Sequence, residues 1–136
     1  SPTFAHISLP QKLRVWRAQA LSEAAKNRDW DEATALFESH YETSNGEFAQ
    51  MIYAAERCDK QQEAEEIFAK MPVGASSHRM GAFTFMLHLY GRLGNFQRSQ
   101  ELLEQLRTEG LTPDAVMYAS LLKSTARSGS TTTMMQ

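Results

Sequence analysis

Residues 83–94 read FTFMLHLYGRLG, and parts of this stretch return at a fixed distance along the chain. Its leading residue, Phe83, has an aromatic counterpart 35 residues earlier in Phe48 and 35 residues later in Tyr118. The same spacing joins other apolar or small residues: Met51 with Met86 and Leu121, Ala64 with Ser99, Phe68 with Leu103, and Gly94 with Gly129. A fixed period of this length indicates stacked supersecondary units. Such arrays usually present a binding surface, so a ligand strip is expected more than a catalytic pocket.

The composition is that of an ordinary soluble domain. The chain has 136 residues, of which 42% are hydrophobic and 22% are charged, and this fits one folded domain. A formal net charge of −2 argues against a generic polyanion binder. No apolar run approaches the roughly 20 residues of a membrane-spanning helix, so we expect a soluble protein with no membrane span. The single cysteine, Cys58, excludes a disulfide within the chain.

Apolar residues recur at helical spacing in three pairs of segments and one further segment. The pairs are predicted at 10–27 with 30–42, at 46–58 with 60–71 and at 81–92 with 96–109, and the last helix at 115–127. No alternating β-branched run of useful length occurs, so strands are not expected. We therefore predict an all-α solenoid of stacked helix-turn-helix repeats with about seven helices.

Acidic residues mark the predicted starts of several helices. Asp29 with Glu32 predicts a capping box for the second helix. Asp59 is predicted to form the second turn and to cap the helix that follows it, and Asp114 is predicted to cap the seventh helix.

Glycines mark two predicted ends. Gly94-Asn95 predicts the turn of the third hairpin, and Gly110, followed by Pro113, predicts a left-handed helix stop. The first unit is shorter than the others, because Ala33 and Ala64 are only 31 residues apart. We predict an N-terminal extension, one repeat domain and a flexible tail: the extension is 1–9, the domain is 10–127 with repeats at about 15–45, 46–80 and 81–115 and a partial repeat at 116–128, and the tail is 129–136.

The third unit resembles the pentatricopeptide repeat (PPR) family. The resemblance rests on residues 83–94, on SQELLEQL at 99–106 and on GLTPDAVMYASLL at 110–122, which together resemble the family's pattern through its Gly-x-x-Pro-Asp junction. The match is weaker towards the N-terminus, and residues 72–80 lack that junction. The resemblance implies a right-handed α-solenoid.

PPR proteins bind single-stranded RNA, mostly in mitochondria and chloroplasts, with about one base per repeat. The resemblance implies that the residue after the first-helix aromatic chooses the base, together with the Asp or Asn that ends the unit. The third unit offers Thr84 and Asp114, which resemble a pair used for a purine. The second unit offers Ala49 and Arg79, which resemble no decoding pair. Phe85 breaks the inward pattern and is the aromatic residue that we expect to be open to base stacking.

The charges are segregated along the chain. Counted over 29–42, 61–71 and 96–109, the second helices with their first caps carry eleven acidic and three basic residues, so most basic residues lie elsewhere. A basic first-helix face would suit a phosphate backbone, and the predicted backbone contacts are Arg14, Arg17, Arg92 and Lys123. An alternative explanation is that these charges complement helix dipoles.

The last unit has a first helix but almost no second helix. Val116, Leu121 and Leu122 therefore lack their usual cover, which predicts a partner interface on the C-terminal helix. Two functions stay open: a module that binds single-stranded organellar RNA weakly, or a structural or adaptor subunit of a large organellar complex such as a ribosome or an energy-transducing assembly. The four histidines and Cys58 lack metal-ligand spacing, so no metal, cofactor, small-molecule substrate or enzymatic activity is expected.

Overall fold

The computed structural model describes residues 9–38, 43–74 and 76–128, and these ranges contain seven helices and no strand. The helices are α1 (Leu9–Lys26), α2 (Trp30–Phe37), α3 (Asn45–Arg57), α4 (Gln61–Lys70), α5 (Ser77–Leu93), α6 (Phe96–Thr108) and α7 (Ala115–Ser128). The predicted all-α class is confirmed. Over the same ranges, no helix has both the length and the hydrophobicity that crossing a bilayer demands. Residues 1–8 of the predicted extension 1–9 and the predicted tail at 129–136 lie outside the described residues, and Leu9 is the first residue of α1.

The helices form two layers. The first helices of the units, α1, α3, α5 and α7, pack side by side in chain order. The second helices, α2, α4 and α6, each pack against the first helix of their own hairpin and also touch the next first helix. The core lies between the layers and draws on every hairpin, with fully buried residues that include Leu21, Ala33, Ile52, Leu87 and Leu106.

The positions that keep the sequence period are packing positions. Phe83 is fully buried and meets Phe68 edge-on, with the ring centroids 5.1 Å apart. Phe37 and Phe48 make a similar contact at 5.5 Å. Each pair joins the second helix of one hairpin to the first helix of the next. Because a buried aromatic or aliphatic side chain stabilises a fold by about 1.5–3 kcal/mol, these contacts hold neighbouring units together.

Several predicted helix ends are confirmed. Asp29 accepts a hydrogen bond from the backbone N–H of Glu32 at 3.1 Å, but its own N–H donates to the carbonyl oxygen of Ala24 at 2.8 Å, so only half of the predicted capping box forms. Asp114 accepts a hydrogen bond from the backbone N–H of Met117 at 2.9 Å. Gly110 has the left-handed φ of 83° that was predicted for it.

Three predicted boundaries differ from the structure. Asp59 does not cap α4, because it adopts a left-handed φ of 56° in the turn and Lys60 precedes the helix without a side-chain cap bond. Helix α5 begins at Ser77 and not at residue 81, because the side chain of Ser76 accepts the N–H of Arg79 at 3.1 Å and starts the helix earlier. Helix α2 ends at Phe37, and residues 39–42 of its predicted range lie outside the described residues.

Candidate nucleic-acid surface on the first helices

One side of α5 carries Gly81, Thr84, Phe85, His88 and Arg92, whose spacing puts them along one helical stripe. Three cavities open along this stripe. They measure about 390 Å³ between α1, α3 and α5, about 400 Å³ between α3 and α5, and about 200 Å³ between α5 and α7. Phe85 lines the first two cavities, and Thr84 and His88 line the last two, so the three form one row. We call this row the first-helix groove.

The groove carries cations that no carboxylate of the described residues neutralises. Arg57 donates to the carbonyl oxygens of Ala25 at 3.1 Å and Lys26 at 3.2 Å, which fixes its side chain without cancelling its charge. Arg28 and Lys123 are exposed at the groove and form no ion pair with the described residues. Arg28 lies in the turn after α1, Arg57 at the end of α3 and Lys123 on α7, so a phosphate chain crossing the first helices would meet each of them.

The acidic residues of the groove are paired. Glu47 is buried and forms an ion pair with Arg17. Glu56 lies 3.0 Å and Asp59 lies 2.8 Å from the guanidinium of Arg92. Their charges are therefore largely offset inside the protein and repel an anion less than free carboxylates would.

The cavities on the other side of the molecule are acidic. A cavity of about 480 Å³ between α6 and α7 is lined by Glu101 and Glu104, with Arg107 beside them. Another of about 350 Å³, between α2 and α4, is lined by three glutamates and one lysine, which are Glu38, Glu63, Glu66 and Lys70. Although one of these cavities is larger than any part of the first-helix groove, its charge disfavours a phosphate backbone.

Arg17 is not on the surface, contrary to its predicted role. Its side chain is only 3% exposed, and it donates to the carbonyl oxygens of Leu36 and Phe37, both at 2.7 Å. The remaining guanidinium nitrogen pairs with Glu47. All three nitrogens are used to join α1, α2 and α3, so Arg17 cannot reach an RNA phosphate.

The other residues predicted to contact the RNA backbone, Arg14, Arg92 and Lys123, do not all lie in the groove. Lys123 lines the groove, whereas Arg14 is exposed on α1 and lines none of its three cavities. Arg92 lies in the groove with a third of its side chain exposed. Burial disfavours its charged form, but hydrogen bonds to Asp59 and Glu56 outweigh that effect and raise the pKa of Arg92. The predicted residues thus do not all face one groove.

The two predicted base-reading residues lie in different settings. Thr84 is half-buried in the groove, and its hydroxyl donates to the carbonyl oxygen of Met80 at 3.0 Å, which leaves its oxygen lone pairs available. Asp114 is exposed, but its carboxylate already caps α7 through the N–H of Met117. Among the described lining residues of the three groove cavities, Asp114 does not occur. Val116, two residues later in the chain, lines the cavity between α5 and α7.

Arg79, which ends the second unit, lies in the core. It is 2% exposed and forms a two-bond pair with Glu109, at 2.8 and 2.7 Å. Its guanidinium also sits over the rings of Phe68 at 4.4 Å and Phe83 at 4.9 Å. This burial prevents Arg79 from contacting a base.

Sequence reasoning missed Arg57 as a groove residue, although the period could have found it. Arg57, Arg92 and Arg127 are 35 residues apart, near the ends of α3, α5 and α7. In the structure, Arg57 bonds the carbonyl end of α1, and Arg92 donates to the carbonyl of Glu56 near the end of α3. A cation at a helix C-terminus is favourable, so Arg57 and Arg92 both join successive first helices and line the groove.

The C-terminal helix exposes part of its apolar side. Val116 is 59% and Leu122 is 62% exposed, while Leu121 is half-buried beside the cavity between α6 and α7. Met117, on the opposite side of α7, is fully buried against the core. Two of the three residues of the predicted partner interface are thus solvent-exposed in the isolated chain.

The fold and the groove together define a helical-repeat protein whose candidate ligand surface lies on its first helices. Residues 81–111 match the family model described as the PPR repeat. The chain is also 27% identical over 108 residues to a chloroplastic pentatricopeptide repeat-containing protein of Arabidopsis thaliana. That match covers 76% of this chain but only 7% of the length of the relative. The chain therefore carries a pentatricopeptide repeat, and the resemblance to that family is confirmed.

Proposed function

We propose that this chain is a non-enzymatic helical-repeat module that binds single-stranded RNA along the first-helix groove. The observation that carries the proposal is the contrast between the two sides of the array. Among the described residues, the groove holds Arg28, Arg57 and Lys123 without carboxylate partners, whereas the charged residues that line the two opposite cavities are five glutamates, one arginine and one lysine. The family resemblance points to the same class of ligand.

The strand would lie across the first helices, with phosphates near Arg28, Arg57 and Lys123 and with bases turned towards the helices. Contacts to phosphate give affinity that is independent of sequence and falls with salt. Thr84, with Asp114 at the end of the unit, would favour a purine at the third unit. Because each stacked base contributes roughly 1–3 kcal/mol and the groove spans few units, binding would be weak.

The proposal extends to an organellar location. The Arabidopsis relative is described as chloroplastic, and the family resemblance implies a mitochondrion or a chloroplast. Import of the protein into either organelle can be followed with a fluorescent fusion of the full-length gene product.

Anisotropy of labelled short single-stranded RNAs, measured over a series of salt concentrations, tests the proposal. We expect Arg28→Ala and Lys123→Ala each to lower the slope of log affinity against log salt by about 0.7, the value for one phosphate contact on a single strand. Lys70→Ala is the matched control, because Lys70 is an exposed lysine in the acidic cavity between α2 and α4. Absence of salt-dependent binding at micromolar protein would rule out the proposal.

A second candidate function is a structural or adaptor subunit of a large organellar complex, such as a ribosome or an energy-transducing assembly. It is favoured by the exposed Val116 and Leu122, because an apolar helix side is a common protein-contact surface. Affinity purification from the source organelle, with wild type and Leu122→Asp compared, distinguishes the two functions. Loss of a protein complex with Leu122→Asp would support the adaptor, whereas RNA retained by both forms would support the RNA module.

A further inference from the structure

The cavity between α1, α3 and α5 is a slot whose walls are made by small residues. Ala18, Gly46, Ala49 and Gly81 line it, and Phe85 lines it as well. A Cβ atom added to Gly81 would meet nothing within 4 Å, so the space beside this glycine is open. A planar group can approach the backbone there because no side chain fills the space.

Phe85 gives the slot an aromatic surface. Its ring is half-buried and packs on Tyr53, with centroids 4.8 Å apart and planes tilted by 33°. The guanidinium of Arg57 in turn lies over the Tyr53 ring at 5.7 Å. Phe85 is therefore held in position by its neighbours while it still borders both this slot and the adjacent cavity. An aromatic ring in such a place is suited to stacking with a nucleobase of any type.

Gln50 supplies an unpaired hydrogen-bonding group in the same slot. Its side-chain oxygen is buried and accepts no hydrogen bond from any of the described residues. A buried acceptor without a partner costs about 1–3 kcal/mol, so a ligand N–H that reaches it recovers this energy. A glutamine amide places a donor beside its acceptor, and this pair complements the amino group and the adjacent ring nitrogen of adenine.

The charges around the slot favour a neutral group over a phosphate. Among the described residues that line it, the one acidic residue, Glu47, is buried and paired with Arg17, and the other polar residues besides Gln50 are Ser44, Ser77 and His78. The same described lining contains no arginine or lysine. The cations of the groove lie instead in the adjacent cavity, at Arg28 and Arg57, where a phosphate of the same nucleotide strand would lie.

We propose that this slot binds one base of the single-stranded RNA, preferably adenine, with Phe85 stacking on the base and the Gln50 amide reading its edge. The inference rests on the proposed RNA-binding function and refines it. It assigns a base to the second unit, whose Ala49 and buried Arg79 resemble no decoding pair. Base selection in this unit then comes from two residues outside the pair that the resemblance implies.

Binding of the full chain to equal-length oligo(A) and oligo(U), measured by anisotropy, tests the inference. We expect Gln50→Ala to weaken oligo(A) roughly fivefold while oligo(U) changes less, because one bidentate base contact is lost. Phe85→Leu should weaken both oligonucleotides roughly tenfold, because one stacked base is lost. Gln97→Ala is the matched control, since Gln97 is exposed on α6, away from the groove.

A second readout locates the base. An oligo(A) with one 2-aminopurine should lose fluorescence on binding to wild type, and should keep more of it with Phe85→Leu. Thermal melting of each variant by circular dichroism shows whether it is folded. Gln50→Ala should melt no lower than wild type, because it removes a buried acceptor that has no partner among the described residues, so it remains decisive if Phe85→Leu is unstable.

The failures of the two proposals are distinguishable. If wild type binds RNA with the expected salt dependence, but Gln50→Ala and Phe85→Leu bind oligo(A) as wild type does, the slot is not a base site and the RNA-binding function stands. If wild type binds neither oligonucleotide, the RNA-binding function fails and the slot assignment fails with it. Loss of the oligo(A) preference in Gln50→Ala, with salt dependence retained, supports both.

Discussion

Helices α5 and α7 are equivalent in the repeat but lie in different environments. Leu87 of α5 is 0% exposed, whereas Leu122, 35 residues later, is 62% exposed. Phe83 and Tyr118 differ in the same way, since Phe83 is fully buried and Tyr118 is exposed. Helix α5 has a first helix on each side, α3 and α7, whereas among the described helices α7 packs mainly against α5 and α6. Burial in this array therefore depends on having neighbours on both sides, and the apolar sequence pattern alone does not provide it.

The polar equivalents in the two helices also differ. Arg79 and Asp114 are 35 residues apart, but Arg79 is in the core with Glu109 while Asp114 is an exposed helix cap. The same repeat position thus performs packing in one unit and capping in the next. A residue can read a base only if its side chain is accessible to RNA. In this chain, the accessibility of the same repeat position differs from one unit to the next.

The largest expected effect is a difference in the free energy of unfolding between variants of Arg79 and of Asp114. We expect Arg79→Ala to lower the free energy of unfolding by about 3–5 kcal/mol, because it leaves the buried carboxylate of Glu109 without its partner. Asp114→Ala should cost only about 1 kcal/mol, the usual value for a lost N-cap. Urea unfolding followed by circular dichroism measures both. Equal costs for the two variants would contradict the buried role of Arg79.

The next effect compares the two leucines. Leu87→Ala should cost about 2–5 kcal/mol because it opens a cavity in the core. Leu122→Ala should change stability by less than about 0.5 kcal/mol because its side chain is exposed. The same unfolding experiment applies, repeated at several protein concentrations. A large, concentration-dependent cost for Leu122→Ala would show that this side of α7 is covered by a second copy in solution.

A smaller effect is the dependence of the free energy of unfolding on pH that Glu109 should produce through its pair with Arg79 of α5. The hydrogen bond from Arg79 lowers the pKa of Glu109 against an opposing effect of burial, and Gln105 lowers it further. A carboxylate whose pKa is lower in the folded state stabilises the fold above its unfolded pKa of about 4.3. This stability is lost as the pH falls through the folded pKa.

Unfolding measured between neutral and acidic pH tests this effect. Glu109→Gln should flatten the acidic loss of stability relative to wild type, whereas Glu104→Gln, at an exposed site on the same helix, should leave it unchanged. An unaltered pH profile in Glu109→Gln would show that the ion pair with Arg79 does not govern the acid response.

The smallest expected effect concerns base preference in equivalent residues of α5 and α7. Thr84→Ala should reduce any purine preference while overall RNA affinity changes by less than roughly threefold, because a single hydroxyl contact is removed. Its equivalent in α7 is already alanine, at position 119, so Ala119→Ser serves as the reciprocal variant. Competition between purine-rich and pyrimidine-rich RNAs measures the preference. A preference that Thr84→Ala leaves intact would place base reading elsewhere, for example at Gln50.

The helices were predictable because their pattern is local. Apolar spacing placed all seven, and the caps at Asp29 and Asp114 follow from short-range hydrogen bonds. The error at Asp59 has a tertiary cause. Its side chain pairs with Arg92 from the next first helix while its backbone takes the left-handed turn, and neither is visible in the local pattern.

The buried arginines were harder to predict, because an arginine is normally expected at the surface. Yet the repeat spacing indicates that one of them, Arg17, is buried. The offset of 31 residues that aligns Ala33 with Ala64 also aligns Arg17 with Phe48, which occupies the aromatic packing position of its unit. The offset predicts that the side chain of Arg17 points into the core, but only the structure shows that it forms an ion pair with Glu47 there.

The bonds from Arg57 to the carbonyls of Ala25 and Lys26, and from Arg92 to that of Glu56, have a consequence for how the chain folds. The last carbonyls of a helix have no partner within that helix. Ala25 and Glu56 also accept backbone N–H groups from their own turns, from Arg28 at 3.1 Å and from Asp59 at 3.4 Å, so the arginine of the following unit adds a second bond at these carbonyls. Each unit thus further stabilises the helix end of the unit before it. These arginine bonds add to the packing between neighbouring hairpins, so folding should be more cooperative than that packing alone would give.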